Sequence, residues 1–517
     1  MGKDRIRIAA RITAALRGFR RSEDGSLLPF GMMLLLLMLM VGGLAIDVMR
    51  HEQKRVTLQQ TLDRSVLAAA GLNQSLDPET VVRDYFDKVD LSQYLKSVTV
   101  ESGFNFRSVT ADAEADTHPM FMQMMGVNSF DVAADSGAEQ RINNVEVSLV
   151  LDISGSMSGT RINALRPAAR SFIDTVFANS EAGRTTVSII PYNAQVNLGP
   201  DLMAQFNVPK LHDYSYCVEL PDDVFGTTTL SRTRSFVQNG HFDPFNGTSS
   251  TAQDYNCPPE TGNRIVMLSD NTTTLKDAIT NLQVGGNTSI DLGVKWGALL
   301  LDPATQAVTQ GMIARGKVAA QYANRPLDIV SGNTIKVLVV MTDGENTTEY
   351  KLTSNYRSGL SNIYRRNSNG RASMYYNRSG SNDYYWVSDG SWHSSPEGGT
   401  SGATQLTWPE VFRYWSVQYV AYQLMARPLG GNYSTYYYDM VDYVSSTKNS
   451  RLQQACTAAK NSGIIIYGIA FEAPSNGRAQ IQACATSDAH YFAATNLDIA
   501  SVFHSIASQL SYLRLTQ

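Results

Sequence analysis

Hydrophobic positions are distributed along this chain in distinct patterns. From 27 to 46, LLPFGMMLLLLMLMVGGLAI, uncharged apolar or small residues run without interruption over about the length a helix needs to cross a bilayer. Pro29 falls in the first turn, where its missing N–H costs little. The stretch DVMRHEQKRVTLQQTLDRSVLAAAG then has no breaker before Gly71 and places Leu58, Leu62, Val66 and Ala69 along one face, which predicts a juxtamembrane helix over 47–75. Beyond it, PETVVRDYF reads as a short helix, and SVTVES, FRSVTADAEA and SFDVAADS alternate as half-buried strands do. The methionine cluster HPMFMQMMG predicts an amphipathic helix covering those strands, so 76–143 reads as a small α+β stalk module.

From 144 onward the pattern changes to βα alternation. Strands at 185–191, 335–342 and 463–470 are apolar at nearly every residue, as strands covered on both faces should be. A first helix carries Ile162, Leu165, Ala169, Phe172 and Val176 as a buried stripe, and further helices are expected near 290–301, 451–462 and 497–511. The prediction is a doubly wound, mostly parallel α/β sheet over 144–517. Two insertions interrupt it. Residues 200–262 are rich in Asp, Thr, Asn and Pro, and no buried core element is expected there. Residues 347–450 hold 15 of the 25 tyrosines and four of the five tryptophans, set in Ser, Asn and Gly. Within this second insertion Thr407 and Glu410 form a capping-box pattern, which predicts a helix over 408–426 packed on the main domain.

A chain of 517 residues with 43% hydrophobic content has room for more than one core. A net charge of -4 provides no general basic field, which argues against nucleic acid as a partner. Charge is asymmetric at the start: residues 1–26 carry Lys3, Arg5, Arg7, Arg11, Arg17, Arg20 and Arg21 against three acids, a tail expected to stay cytoplasmic. A cleaved signal peptide ending at Gly43-Leu44-Ala45 competes with an uncleaved anchor. The length of the apolar run and its continuation as helix favour the anchor. Cys217, Cys257, Cys456 and Cys484 show no zinc spacing. Outside the cytoplasm disulfides are the better reading; three connectivities are open, and pairing in sequence order would close moderate loops.

The chemistry concentrates in EVSLVLDISGSMSG, where an apolar strand runs into Asp152, Ser154 and Ser156 at alternating positions. A hard cation takes oxygen ligands, and a loop leaving a buried strand can hold a carboxylate and two hydroxyls around one point. GGNTSIDLGVKWG adds Thr288 at a helix start, and KVLVVMTDGENT ends a second apolar strand at Asp343. Ser154 and Ser156 have no neighbouring base in sequence, and no nucleophile elbow, phosphate loop or H-E-x-x-H occurs, so enzymatic activity is not expected.

These three stretches resemble the von Willebrand factor A domain, whose metal-ion-dependent adhesion site (MIDAS) draws D-x-S-x-S, a Thr and an Asp from separate loops. The resemblance implies Mg²⁺, or Ca²⁺ or Mn²⁺, held by Ser154, Ser156 and Thr288, with Asp152 and Asp343 bonding directly or through water. One coordination position would remain for a carboxylate of a protein partner. The stretch EDGSLLPF, the Met/Leu span and LAIDVMRHEQKRVTLQQTLD resemble the anchor of TadE/TadG-type proteins of the tight-adherence (Flp) pilus system. Together they imply a single-pass inner-membrane protein, N-terminus cytoplasmic, with its bulk periplasmic or surface-exposed. It would act in metal-dependent binding and assembly, with pilus components or a surface receptor as partner; a scaffold with a purely structural metal is the alternative. The aromatic insertion, leaving the sheet just after Asp343, is expected to shape what the site recognises.

Overall fold

The computed structural model describes residues 27–71, 74, 76–102, 106–141, 144–178, 183–248, 251–329, 334–495 and 498–511. The basic tail expected at 1–26 lies outside them. The chain divides into two compact units, Met1–Arg141 and Ile142–Gln517.

In the first unit the apolar run and the juxtamembrane stretch form one helix, α1 (Leu27–Ala70), because no helix breaker separates them. Its 27–46 half is exposed along its length, with only Gly43 buried. Among the described residues it is the one helix long and apolar enough to cross a membrane, with a mean hydropathy of 2.4 over its best window. The other half buries Leu58, Leu62, Val66 and Ala69, the stripe read from the periodicity. They pack against α2 (Pro78–Asp87) and a three-stranded antiparallel sheet of β1 (Leu95–Ser102), β2 (Phe106–Thr117) and β3 (Phe130–Arg141). The juxtamembrane helix and the stalk therefore share one core instead of forming separate modules. The methionine cluster does not form the covering helix expected of it. It is a single 3₁₀ turn, Met122–Met125, at the β2–β3 connection, because the last turns of α1 already cover the sheet.

The second unit is built on a six-stranded sheet. Its strands are β4 (Asn144–Asp152), β5 (Thr185–Tyr192), β6 (Val266–Ser269), β7 (Thr334–Thr342), β8 (Ile465–Phe471) and β9 (Tyr491–Ala494), in the spatial order β9-β8-β7-β4-β5-β6. All pairs are parallel except β5–β6. Every residue of β5 and β7 is buried, since helices cover both faces. On one face α3 (Thr160–Ala178) packs on α6 (Ile499–Ser511), with Phe172 and Phe503 edge to face at 5.8 Å. On the other, α4 (Ile290–Leu299) packs on α5 (Lys448–Asn461). This is the doubly wound, mostly parallel α/β architecture expected.

The insertions behave differently from their composition. Residues 200–262 do enter the core: Leu202, Phe206, Val218, Leu220 and Phe225 are buried in the main hydrophobic cluster. Their polar neighbours mask the few large side chains that decide burial. The Cys217–Cys257 disulfide closes this segment, and Cys456–Cys484 ties α5 to the helix Ser475–Cys484. The second insertion has a neck, Glu349–Leu352 paired antiparallel with Val441–Val444. Beyond the neck lies a five-stranded antiparallel sheet within 360–407. The capping box at Thr407 and Glu410 is formed, but the helix it opens, Trp408–Tyr414, stops at Trp415, which is extended. Ser416 caps a second segment, whose continuation over 420–426 is π-helical. These pieces do not pack on the main domain core. Trp408, Phe412, Val420 and Leu424 join Ile363 and Met374 in a core of the insertion's own, closed from the other insertion by Phe242.

Candidate functional site

Register builds the site. Parallel pairing sets Leu151 opposite Met341 and Asp152 opposite Tyr192, so Asp152 and the Thr342-Asp343 pair end at the same carboxyl edge of the sheet. The loop after β4 is tied to its neighbour by Gly155 N–H donating to Gly286 O at 2.9 Å and Gly285 N–H donating to Ile153 O at 2.9 Å. Ser154 and Ser156 are thereby held with their hydroxyls 3.0 Å apart, and the Ser156 hydroxyl donates to Asp343 Oδ1 at 2.7 Å. Thr288 approaches from the loop before α4. A Cβ built on Gly344 would lie 3.8 Å from Thr288 Oγ1 and 3.9 Å from Ser156 Oγ, so the two hydroxyls flank the same point. Four of the five expected residues are thus linked through hydrogen bonds or sequence neighbours, and the fifth faces them.

Asp152 is fully buried; it accepts from Ser154 N–H at 2.8 Å and from the Thr342 hydroxyl at 2.7 Å, with Tyr192 OH at 3.4 Å. Burial and the like charge of Asp343 push its carboxyl up to about 6, against the donors that pull it down. Two carboxylates and three hydroxyls at one edge are the oxygen-only set a hard divalent cation takes, and the charge excess at Asp152 is what such a cation would neutralise. The residues fit the expected ion on these grounds.

The pattern reading missed Arg161. From the first turn of α3 it donates Nη1 to Asp343 Oδ2 at 2.7 Å and Nε to Glu472 at 3.1 Å. Burial lowers its pKa, but Glu472 and Asp343 outweigh this and raise it. Glu472 sits just past β8 at φ 52, a left-handed conformation that costs a non-glycine residue on the order of 1–2 kcal/mol. Its place at the end of an apolar strand was a usable signal; Arg161 carried only a weak one, a cation in a first helical turn where the helix dipole disfavours it. The insertion neck is also part of the site. Thr288 N–H donates to Thr347 Oγ1 at 2.8 Å, Thr347 N–H donates to Thr288 O at 2.9 Å, and buried Lys448 donates to Thr288 O at 3.1 Å. Both ends of the second insertion therefore brace the Thr288 loop. A polar groove of about 370 Å³ beside the site is lined by Gly155, Gly286 and Asn287 and by Phe245 and Asp254 of the first insertion. The first insertion, which carried no functional expectation, forms that wall.

Residues 25–72 match the family described as putative Flp pilus-assembly TadE/G-like. That match covers α1 and little else. Among curated proteins none matches the chain. Similar solved structures include the vWF domain of the type V pili tip protein Mfa5 from Porphyromonas gingivalis, at 14% identity and a TM-score of 0.32, covering 73% of this chain and 98% of that one. The pilus adhesin RrgA from Streptococcus pneumoniae is similar at 10% identity and a TM-score of 0.30, covering 80% of this chain and 50% of that one. Proximal thread matrix protein 1 from the mussel byssus, in a structure with a zinc-occupied MIDAS motif, is similar at 10% identity and a TM-score of 0.27, covering 71% and 46%.

The hydroxyls of Ser154 and Ser156 bond to each other and that of Ser156 to Asp343, a chain of oxygen groups at one edge of the sheet.

Proposed function

We propose that this protein is an envelope-anchored, metal-dependent binding and assembly protein of a Flp-type pilus system, not an enzyme. The observation that carries the metal site is the hydrogen-bonded convergence of Asp152, Ser154, Ser156 and Asp343, with Thr288 facing them. Ser154, Ser156 and Thr288 would hold Mg²⁺ directly, with Asp152 and Asp343 bonding it or its waters. Bound there, the ion would supply an open position for an acidic group of a protein partner. Ser156 is exposed while Asp152, Ser154, Thr288 and Asp343 are buried, which supports an approach of the partner from its side. Pull-down of partners with and without chelator tests this reading: capture that is indifferent to chelator removes it.

A second reading is favoured by one observation. Arg161 already joins the loops after β7 and β8 through Asp343 and Glu472, so the edge is held together without an ion, as a scaffold would need. The two readings separate on Arg161→Gln. If the site works by binding, removing the guanidinium charge beside Asp343 should tighten Mg²⁺ several-fold, on the order of 1 kcal/mol, in calorimetric titration. A scaffold whose metal is only structural would gain the same affinity, but its partner capture would not change with Mg²⁺, whereas a binding site would capture more partner at limiting Mg²⁺.

The anchor is read with its N-terminus cytoplasmic and all four cysteines outside. Membrane-impermeant maleimide on spheroplasts should label the protein only after reduction, since Cys217–Cys257 and Cys456–Cys484 are disulfides. All four sulfurs are buried in the fold, so the labelling is done in denaturant that leaves the bilayer intact, and protection relieved only when the membrane is dissolved would reverse the orientation.

A further inference from the structure

We propose that the turn between β2 and β3, Met120–Met125, is a second membrane-embedded element, immersed among acyl chains beside α1. The proposal rests on the reading of 27–46 as a span.

Depth is the first argument. Phe121 lies on α1 at Gly43 so closely that a Cβ there would fall 2.4 Å from its ring, and a groove of about 330 Å³ runs on from it. Leu36, Leu39 and Met40 line that groove from α1; Phe121, Met124 and Met125 line it from the turn. At about 1.5 Å per residue, Leu36 lies roughly 15 Å from the Ile46 end of the run, near the middle of a hydrocarbon core about 30 Å thick. Side chains that share a groove with Leu36 and Leu39 are at hydrocarbon depth whenever those residues are.

Composition and exposure agree. Met120, Met124 and Met125 are 64%, 87% and 60% exposed, and they continue the lipid-facing surface of α1, with Gln123 an exposed polar side chain among them. The polar groups are then disposed as a bilayer demands. Backbone donors in hydrocarbon must be satisfied within the protein. Asp47 accepts the N–H groups of Met120, Phe121 and Met122 at 2.9, 2.7 and 2.8 Å. Met124, Gly126 and Val127 donate back to Phe121, Gln123 and Met122 within the turn. One and two turns further along α1, Arg50 reaches Met120 Sδ at 2.9 Å and Lys54 reaches Asp116 O at 2.7 Å, placing both cations at headgroup level. The turn thus pegs the β1–β3 sheet to the bilayer surface and sets the depth of α1.

The test uses full-length protein in phosphatidylcholine/phosphatidylglycerol vesicles, with single cysteines introduced at Met124, at Leu39 as a span control and at Leu76 as an exposed control. The native cysteines are all in disulfides, so each variant takes one environment-sensitive fluorophore. The Met124→Cys label should behave as Leu39→Cys does, losing most of its emission to doxyl-lipid and little to aqueous iodide, with Leu76→Cys the reverse. In Asp47→Ala, which strips three N–H groups of their acceptor, the Met124 label should lose its doxyl quenching. Iodide access at Met124 with Leu39 still quenched by lipid overturns the proposal and leaves the span standing; iodide access at both overturns the span reading itself. Shielding of Met124 in cell membranes but not in pure lipid would assign the turn to a protein partner and also overturn it.

Discussion

Asp152→Asn is expected to abolish Mg²⁺ binding while making the metal-free protein more stable above pH 6. The two effects have one cause. Asp152 is fully buried and faces the like charge of Asp343, so its carboxyl is pushed up to about 6 from 3.8. A raised folded-state pKa means that folding favours the protonated acid. Its contribution to stability is complete below the unfolded value near 4 and is lost as pH rises through about 6. In chelator, the wild-type protein should therefore lose stability across pH 4–6, on the order of 2–3 kcal/mol, a loss the isosteric amide escapes. With Mg²⁺ the order should invert, because protons then compete with the ion and wild-type affinity should fall as pH drops below 6. Thermal melts of both proteins across pH 4–8, with and without Mg²⁺, would read this directly. A flat metal-free profile for the wild type would show that Asp152 is not under charge stress. Removing the side chain altogether is a different experiment: Asp152→Ala would strip an acceptor from Ser154 N–H and the Thr342 hydroxyl and cost about 1–3 kcal/mol for each donor left unpaired.

Excising residues 354–439 and closing the neck with a short Gly-containing turn should leave the main sheet folded and Mg²⁺ affinity nearly unchanged while abolishing partner binding. The cut is dictated by the ladder. Leu352 pairs with Val441 and Thr353 N–H donates to Met440 O at 2.9 Å, so the two ends already meet as a hairpin would. A smaller excision confined to the Ser/Gly/Asn-rich part of the insertion would fail. It would take away the sheet strands Leu360–Arg366 and Ala372–Tyr375 that cover Trp408, Val411 and Phe412, leaving several large apolar side chains in water at about 2–3 kcal/mol each. The larger cut still uncovers Phe242, so Phe242→Ser should accompany it. The neck must stay, because Thr347 and Lys448 hold the Thr288 loop. Most of the aromatic residues are spent inside the insertion: Tyr356 on Trp408, Tyr364 on Tyr384, Trp386 on His393. Exposed aromatics left to a partner include Tyr422, Tyr433 and Tyr438, at 39%, 39% and 59%, all removed by the excision, and Tyr443 at 53% on the neck. Retained partner binding by the excised protein would assign recognition to the other wall, at Phe245 and Asp254.

Sequence by itself determined what depends on periodicity and on local chemistry. The Leu58-Leu62-Val66-Ala69 stripe, the strands at 144–152, 185–192 and 334–342, the capping box at Thr407 and the D-x-S-x-S loop are each set by residues within a few positions of one another, and each is found where the pattern puts it. Tertiary structure decided whatever depends on which surface is already occupied. The methionines of 120–125 could not cover the stalk sheet because α1, continuous with the membrane run, had taken that face. The 408–426 helix broke at Trp415 because both of its pieces had to point apolar faces into a core made by strands tens of residues earlier. The site divides in the same way. The proposed ligand types are written in three short motifs and Glu472 follows an apolar strand, but Arg161 and the Thr347 and Lys448 braces enter only through the parallel register of strands far apart in the chain. Register brings together residues that no local pattern relates.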